Sequence, residues 1–284
     1  MSADIRFINA ELITRTVAQL CIKANVIVKE SIRFALCRAR EAEYSPLARS
    51  AIDTLLENAD AAEREQLPLC QDTGMAVVFV EIGMDVHING GDLEEAINEG
   101  VRRGYKEGFL RNSVVRDPID RINTADNSPA IVHYSIVKGD KVKIIVAPKG
   151  FGSENMSALA MLTPSEGIEG IKNFVVKTIS KAGGNPCPPI IVGVGVGGTM
   201  EKCAYLSKKA LLRPVGTSNT DQFWNSIEKE LLSKINALGI GPAGFGGRTT
   251  ALSVNIETFP THIAALPVAV NIGCHVTRHR EGIL

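Results

Sequence analysis

The sequence carries no net charge: its 31 Lys and Arg residues are balanced by 31 Asp and Glu over 284 residues. Without a basic excess it has no electrostatic footprint for nucleic acid or an anionic membrane surface, and neither is expected as a partner. Long apolar runs are also missing. The longest, around Ile190–Val196 and Ile263–Ile272, fall far short of the ~20 residues that a membrane helix needs. The opening Met-Ser-Ala-Asp-Ile-Arg has no apolar core, so no secretory leader is expected. Cysteine is sparse, with six residues and no Cys-x-x-Cys pair, which excludes a disulfide scaffold, a zinc ribbon and a thioredoxin-type motif. Reduced thiols and a cytoplasmic location follow as expectations. No internal repeat, low-complexity stretch or linker is visible.

What is present fits a globular protein. Hydrophobic residues make up 45% and charged residues 22%, which rules out disorder. The length suits one large or two modest domains. The first 65 residues read as helical: Ile13, Val17, Leu20, Cys21 and Ala24 share one stripe, and a second helix covers about residues 29–42. Ser45 can cap a third that begins at Pro46, with Ala48, Ile52, Leu55 and Ala59 in its stripe, and Leu67-Pro68 ends it. Met75–Ile82 reads as a strand, and Asp92 with Glu95 as a capping box for a helix through Ile97 and Val101. Ile131–Val137 and Val142–Ala147, flanking Lys138-Gly139-Asp140, read as a β-hairpin. Ser165 opens a helix that Gly183-Gly184 ends, Ile190–Val196 is a buried strand, and Trp224–Leu238 a late helix. Leu252–Ile256 and Leu266–Ile272 are the last strands. The expected fold is mixed α/β (α+β). An N-terminal helical lobe, about 1–65, joins a mixed sheet-and-helix body, about 66–284, in one functional domain.

The cysteines divide by context. Cys21, Cys37 and Cys203 lie in helical stretches, where a thiol acts as a small buried hydrophobe. Cys70, Cys187 and Cys274 lie where Pro or Gly breaks the backbone. They are either three unrelated loop thiols or three ligands of one centre. Four thiolates would close a [4Fe–4S] cluster for electron transfer. Three leave one iron open, able to act as a Lewis acid on an oxygen ligand.

The words around those thiols occur in a fixed order. They are Cys70-Gln-Asp-Thr-Gly, Lys149-Gly-Phe-Gly-Ser-Glu-Asn155, Gly193-Val-Gly-Val-Gly-Gly-Thr-Met-Glu-Lys202, Gly246-Gly-Arg-Thr-Thr-Ala251, and Thr261-His-Ile-Ala-Ala-Leu-Pro-Val-Ala-Val-Asn-Ile-Gly-Cys-His275. Together, from about residue 10 onward, they resemble the α chain of the two-subunit, iron–sulfur (class I) fumarate hydratases and tartrate dehydratases. The resemblance implies a [4Fe–4S] cluster with one open iron, held by Cys70, Cys187 and Cys274. It implies reversible addition of water across the double bond of a small dicarboxylate, with fumarate and malate as the leading pair and tartrate as the alternative. A separate β subunit is expected to supply part of the active site, including the group that takes the substrate proton. With few residues after Cys274, that domain is expected on the separate chain. Association of αβ units is expected too.

The resemblance also assigns residues. Asp72 matches the catalytic acid, which would help hydroxide leave as water; its alternative duty is to hold its own turn before Gly74. Gln71, Arg111, Gly152 and His262 match substrate-binding positions. An Arg fork suits a carboxylate, with Arg116 in reserve, and N–H groups of the Lys149–Asn155 turn can form an anion nest at Gly152. Each could instead be structural or surface. His275 and His279 have no assignment.

Gly193–Gly198 also matches G-x-G-x-x-G, the dinucleotide fingerprint. Asp221 stands at the distance of the required acid but looks like a helix start. Close backbone packing near the Cys187 loop is the preferred reason for these glycines. A nicotinamide-dependent oxidoreductase and a non-catalytic iron–sulfur scaffold are the readings from other classes.

Overall fold

A computed structural model describes residues 5–284, so the leader expectation, which falls on the opening residues, lies largely outside what it describes. In chain order the elements are β1 (Arg6–Asn9), α1 (Ala10–Val26), α2 (Glu30–Ala42), α3 (Pro46–Glu65), β2 (Met75–Gly83), β3 (Val86–Asn89), α4 (Leu93–Glu107), β4 (Ile131–Val137), β5 (Val142–Lys149), α5 (Phe151–Glu154), β6 (Ala158–Leu162), α6 (Gly167–Ala182), β7 (Ile190–Gly197), α7 (Met200–Ala210), α8 (Gln222–Asn236), β8 (Ala251–Phe259), β9 (Leu266–Gly273) and β10 (Arg280–Ile283). The fold is α+β, as expected. No helix among the described residues is long and apolar enough to cross a membrane.

The chain forms two compact units. The first takes the residues up to Val28, Ala59–Phe151 and Arg278–Leu284; the second takes Lys29–Asn58 and Gly152–Thr277. The first 65 residues are therefore divided between the two units. The stripe of α1, with Ile13, Val17 and Cys21 all fully buried, packs against α4 and the first unit's sheet. Helix α2 instead packs against β8.

In the first unit the sheet order is β10-β5-β2-β4, and β1 pairs with β3 alongside. The expected hairpin of β4 and β5 does not form. Strand β2 lies between them, parallel to β4 and antiparallel to β5. Its run of Ala76–Val80 is buried on both faces and takes the central place. The Lys138–Asp140 turn crosses the end of β2. Gly83 donates to Lys141 O, Asp85 to Gly139 O, and a Cβ on Gly83 would overlap the Gly139 backbone. Helices α1 and α4 cross closely at glycines: a Cβ on Gly104 would lie 2.7 Å from Ala18 O. Asp92 caps α4 by accepting from Glu95 N–H at 2.9 Å, while the Glu95 carboxylate turns to Arg102 rather than back to the cap.

In the second unit the order is β6-β9-β7-β8, with β7 parallel to β8 and antiparallel to β9. Every residue of β7 is buried. Its Ile190, Val192, Val194 and Val196 pack with Ile171, Val175 and Ile179 of α6 and Ile227, Leu231 and Ile235 of α8. On the other face Gly193 and Gly195 lie against α7. A Cβ on Gly193 would land on Ser207 O, and one on Gly195 on Cys203 O. The helix expected from Ser165 starts at Gly167, after a short 3₁₀ turn over Pro164–Glu166 in which Thr163 and Glu166 form a capping box. Gly183 ends α6 with a φ of 54°.

Candidate active site

The Cys70–Gly74 loop links α3 to β2 in the first unit. Its turn is closed by Asp72. Oδ1 accepts from Gly74 N–H at 2.9 Å, the Asx-turn geometry expected of Asp-Thr-Gly, and Oδ2 accepts from Phe151 N–H at 2.9 Å. Gly74 is needed here: its φ is 78°, and a Cβ would meet the Lys149 backbone at 2.7 Å. Asp72 N–H points at Cys70 Sγ, 3.4 Å away, and Cys70 Sγ lies 3.7 Å from Gln71 Oε1. Gln71 and Arg111 are exposed, Cys70 and Asp72 half-buried. Thr73 Oγ1 donates to Arg111 O at 3.0 Å, so the backbone of the expected substrate arginine lies beside the loop. Arg116 is exposed on a turn closed by its N–H to Ile122 O.

The second unit holds the other two loop thiols at one end of its sheet. Cys187 precedes β7 and Cys274 follows β9, and the register pairs Ile191 with Gly273. The loops are tied together at Cys187 O, which accepts from the His275 backbone at 3.4 Å and its ring Nδ1 at 3.0 Å. That is the structural duty of His275. Cys187 is exposed, with a left-handed φ of 55°. A β-carbon makes that conformation costly, and such residues gather at functional sites. Gly152 lies toward the same loop: the nearest atom to a Cβ built on it is Asn185 O, at 4.0 Å. The Lys149–Asn155 stretch is not an open nest throughout, since it turns into α5 and its Phe151 N–H is taken by Asp72.

His262 is not brought to the Cys187–Cys274 end. It precedes β9, at the opposite end of that strand, roughly 26 Å away at ~3.3 Å per residue. It is exposed, accepts from Ala264 N–H at 3.2 Å through Nδ1, and lines a 360 Å³ cavity with Trp224 and Leu266. Asp221 caps α8, accepting from Phe223 and Trp224 N–H groups, which removes it as a ribose-binding acid. With the glycines inside β7, the dinucleotide reading has no support. Their close packing is real, but the partner is α7 and not the Cys187 loop.

The remaining cysteines lie on helices, as expected. Cys21 and Cys203 are fully buried, and burial pushes both thiols up, that of Cys21 to about 12, while Cys37 on α2 is only half-buried. Among the described residues none of the six forms a disulfide. No three His, Cys, Asp or Glu side chains among those residues stand grouped as a metal-ion site. Cys70 belongs to one unit and Cys187 and Cys274 to the other. Each of the three nevertheless fits as an iron–sulfur ligand. All are thiols on broken backbone, one faces a backbone N–H, and two share one sheet end.

Three residues that sequence reasoning passed over hold the Cys70 loop from behind: Tyr105, Asn127 and Arg278. Burial pushes the Tyr105 hydroxyl up, so it remains a donor. Sequence offered a signal only for Asn127, in Asp-Asn-Ser-Pro, a turn-forming run.

The fumarate hydratase (Fumerase) family model matches residues 14–283. The chain belongs to this family. A putative L(+)-tartrate dehydratase subunit alpha of Methanocaldococcus jannaschii is 46% identical over 274 residues, covering 94% of this chain and 95% of the relative. The L(+)-tartrate dehydratase subunit alpha of Escherichia coli K12 is 32% identical over 276 residues, covering 96% and 90%.

Proposed function

We propose that this hydro-lyase chain is the α subunit of an iron–sulfur enzyme that reversibly hydrates fumarate to malate in the cytoplasm, with a separate β subunit. Residues 1–284 act as one catalytic module, and αβ units associate with one another. The observation that carries the reading is the pairing of Asp72 with Cys70. A carboxyl group with one lone pair of each oxygen held by backbone N–H stands two residues from a loop thiol, in a chain of this family. The relatives' name, subunit alpha, supports the partner chain.

Cys70, Cys187 and Cys274 would hold the [4Fe–4S] cluster, which when bound supplies a Lewis acid with one open position. Asp72 delivers a proton to the departing hydroxyl. Gly74 and Phe151 N–H fix its two oxygens and leave the second lone pair of each for that proton. The exposed guanidinium of Arg111 can take a substrate carboxylate bidentately, and the Gln71 amide can hydrogen-bond another. Gly152 offers its backbone to a carboxylate near the Cys187 loop. His262 is assigned to substrate on family likeness, although it stands at the far end of β9. The base that removes the carbon-bound proton is assigned to the β subunit.

The names of the relatives favour a second reading, dehydration of L(+)-tartrate. The deciding experiment reconstitutes the chain anaerobically with its β chain and compares turnover on fumarate, malate and tartrate. Faster turnover of fumarate and malate supports the first reading, and preference for tartrate replaces it. Activity of the reconstituted chain without any β chain overturns the two-subunit assignment.

A further inference from the structure

Three consecutive carbonyls, those of Asp72, Thr73 and Gly74, each accept from a buried side chain contributed by a distant part of the chain. Arg278 Nη2 donates to Asp72 O. The Tyr105 hydroxyl lies 2.9 Å from both Thr73 O and Gly74 O, sharing its proton between them. Asn127 Nδ2 donates to Gly74 O at 3.1 Å. Arg278 is 7% exposed, Tyr105 1% and Asn127 0%. The three come from the C-terminal segment, from α4 and from the loop before β4, so no local turn preference explains their meeting.

Arg278 is the costly member. A buried guanidinium is retained against a desolvation penalty, and its Nη1 lies buried with no hydrogen-bond partner among the described residues. Its other arm is spent on a backbone carbonyl rather than a carboxylate. Gly150 completes the arrangement: a Cβ there would lie 3.1 Å from Asp72 Oδ2 and 3.7 Å from Arg278 Nη2.

We infer that Arg278, Tyr105 and Asn127 form a clamp that positions the Cys70–Gly74 loop. Each acts through the backbone and none touches the reacting atoms, so these are positioning residues. With the carbonyls held from behind, the Asp72 carboxylate and the Cys70 thiol keep one fixed relation. Because the ties are made to backbone, the clamp does not depend on the side chains of Asp72 and Thr73, but it does not tolerate loss of a donor: a buried carbonyl left without one must find water or move. The catalytic value of the clamp rests on the roles proposed for Cys70 and Asp72; the clamp itself does not.

The test uses the full-length chain, free of cluster and under reducing, anaerobic conditions. A pulse of iodoacetamide is followed by peptide-resolved mass spectrometry in the parent, Arg278→Lys and Tyr105→Phe. Loss of one buried hydrogen bond should release the loop enough to raise Cys70 alkylation roughly five- to tenfold, with Cys21 still protected in the core. In the enzyme reconstituted with its β chain, kcat should fall while KM stays within about twofold. Should Arg278→Lys unfold, seen as alkylation of Cys21, Tyr105→Phe decides alone, because it keeps the ring in the core. A Cys70 rate within twofold of the parent in every folded variant overturns the clamp. The alkylation result stands even if neither fumarate nor tartrate proves to be a substrate, so failure of the clamp and failure of the functional reading are told apart.

Discussion

Asp72 and Phe151 are joined by one hydrogen bond, from the Phe151 N–H to Oδ2 at 2.9 Å, across 79 residues of sequence. The bond sets the carboxyl group against Gly150, whose missing side chain leaves it room. Asp72→Asn keeps size and one of the two accepted N–H bonds, sets an NH2 group against the other N–H, and removes the transferable proton. Turnover should fall about 10²–10⁴-fold, the usual worth of general acid catalysis, with the cluster spectrum unchanged. Near-normal turnover would return Asp72 to a turn-forming residue. Gly150→Ala should crowd the carboxylate without unfolding the chain and lower kcat about tenfold or more, since small displacements of a catalytic group are costly.

The cysteine assignment is tested by replacing each with Ser and counting iron and sulfide after anaerobic reconstitution. Content should collapse for Cys70, Cys187 and Cys274, and persist for Cys21, Cys37 and Cys203. Full cluster content in any of the first three variants sinks the assignment.

Gly195→Ala should damage the fold rather than a nucleotide site. Its Cβ would land on Cys203 O and lie 2.6 Å from Ser207 N, so α7 must lift from β7. Overpacking of this kind costs about 1–3 kcal/mol or more, which a lowered melting temperature would register. Unchanged melting with loss of NAD affinity would revive the dinucleotide reading.

Alkaline stability should depend on Cys21. Burial raises its thiol from an ordinary value near 9 to about 12. Between those values the unfolded chain has released the proton and the folded chain retains it. The contribution is therefore complete below about pH 9 and declines as pH rises toward 12, by up to about 1.4 kcal/mol per unit. Cys21→Ala should flatten that part of the urea-unfolding profile. An equally steep profile in the variant would place the alkaline loss elsewhere, for instance at Tyr105, whose hydroxyl burial also raises.

Sequence periodicity located α1, α3, α6, α8 and β7 because each buries one regular stripe or a whole strand. It misplaced β4 and β5 because strand neighbours are chosen by non-local pairing: nothing within Ile131–Ala147 announces that β2 will enter between them. The Gly193–Gly198 run misled for a related reason. Alternation of Val and Gly there is the period of a strand covered on both faces, one side by bulky residues and the other by a helix backbone. Cys70, Cys187, Cys274 and Asp72 were legible as words. Arg278 was not, because a basic residue in the short Arg-His-Arg run gives no sign that it will be buried against a carbonyl some two hundred positions away.

Strand β10 is the last element made, yet it pairs with β5, and Leu284 exchanges two backbone hydrogen bonds with Val142. Arg280 also donates to Ile27 O at 2.9 Å. Residues Arg278–Leu284 thus follow every segment of the other unit in sequence, yet they complete the unit that carries Cys70 and Asp72. Without them β5 is an open edge, a template for the wrong neighbour, and Asp72 lacks its tie to Arg278. The order of the Cys70 loop is therefore set by a segment about two hundred positions away rather than by its own neighbours in sequence.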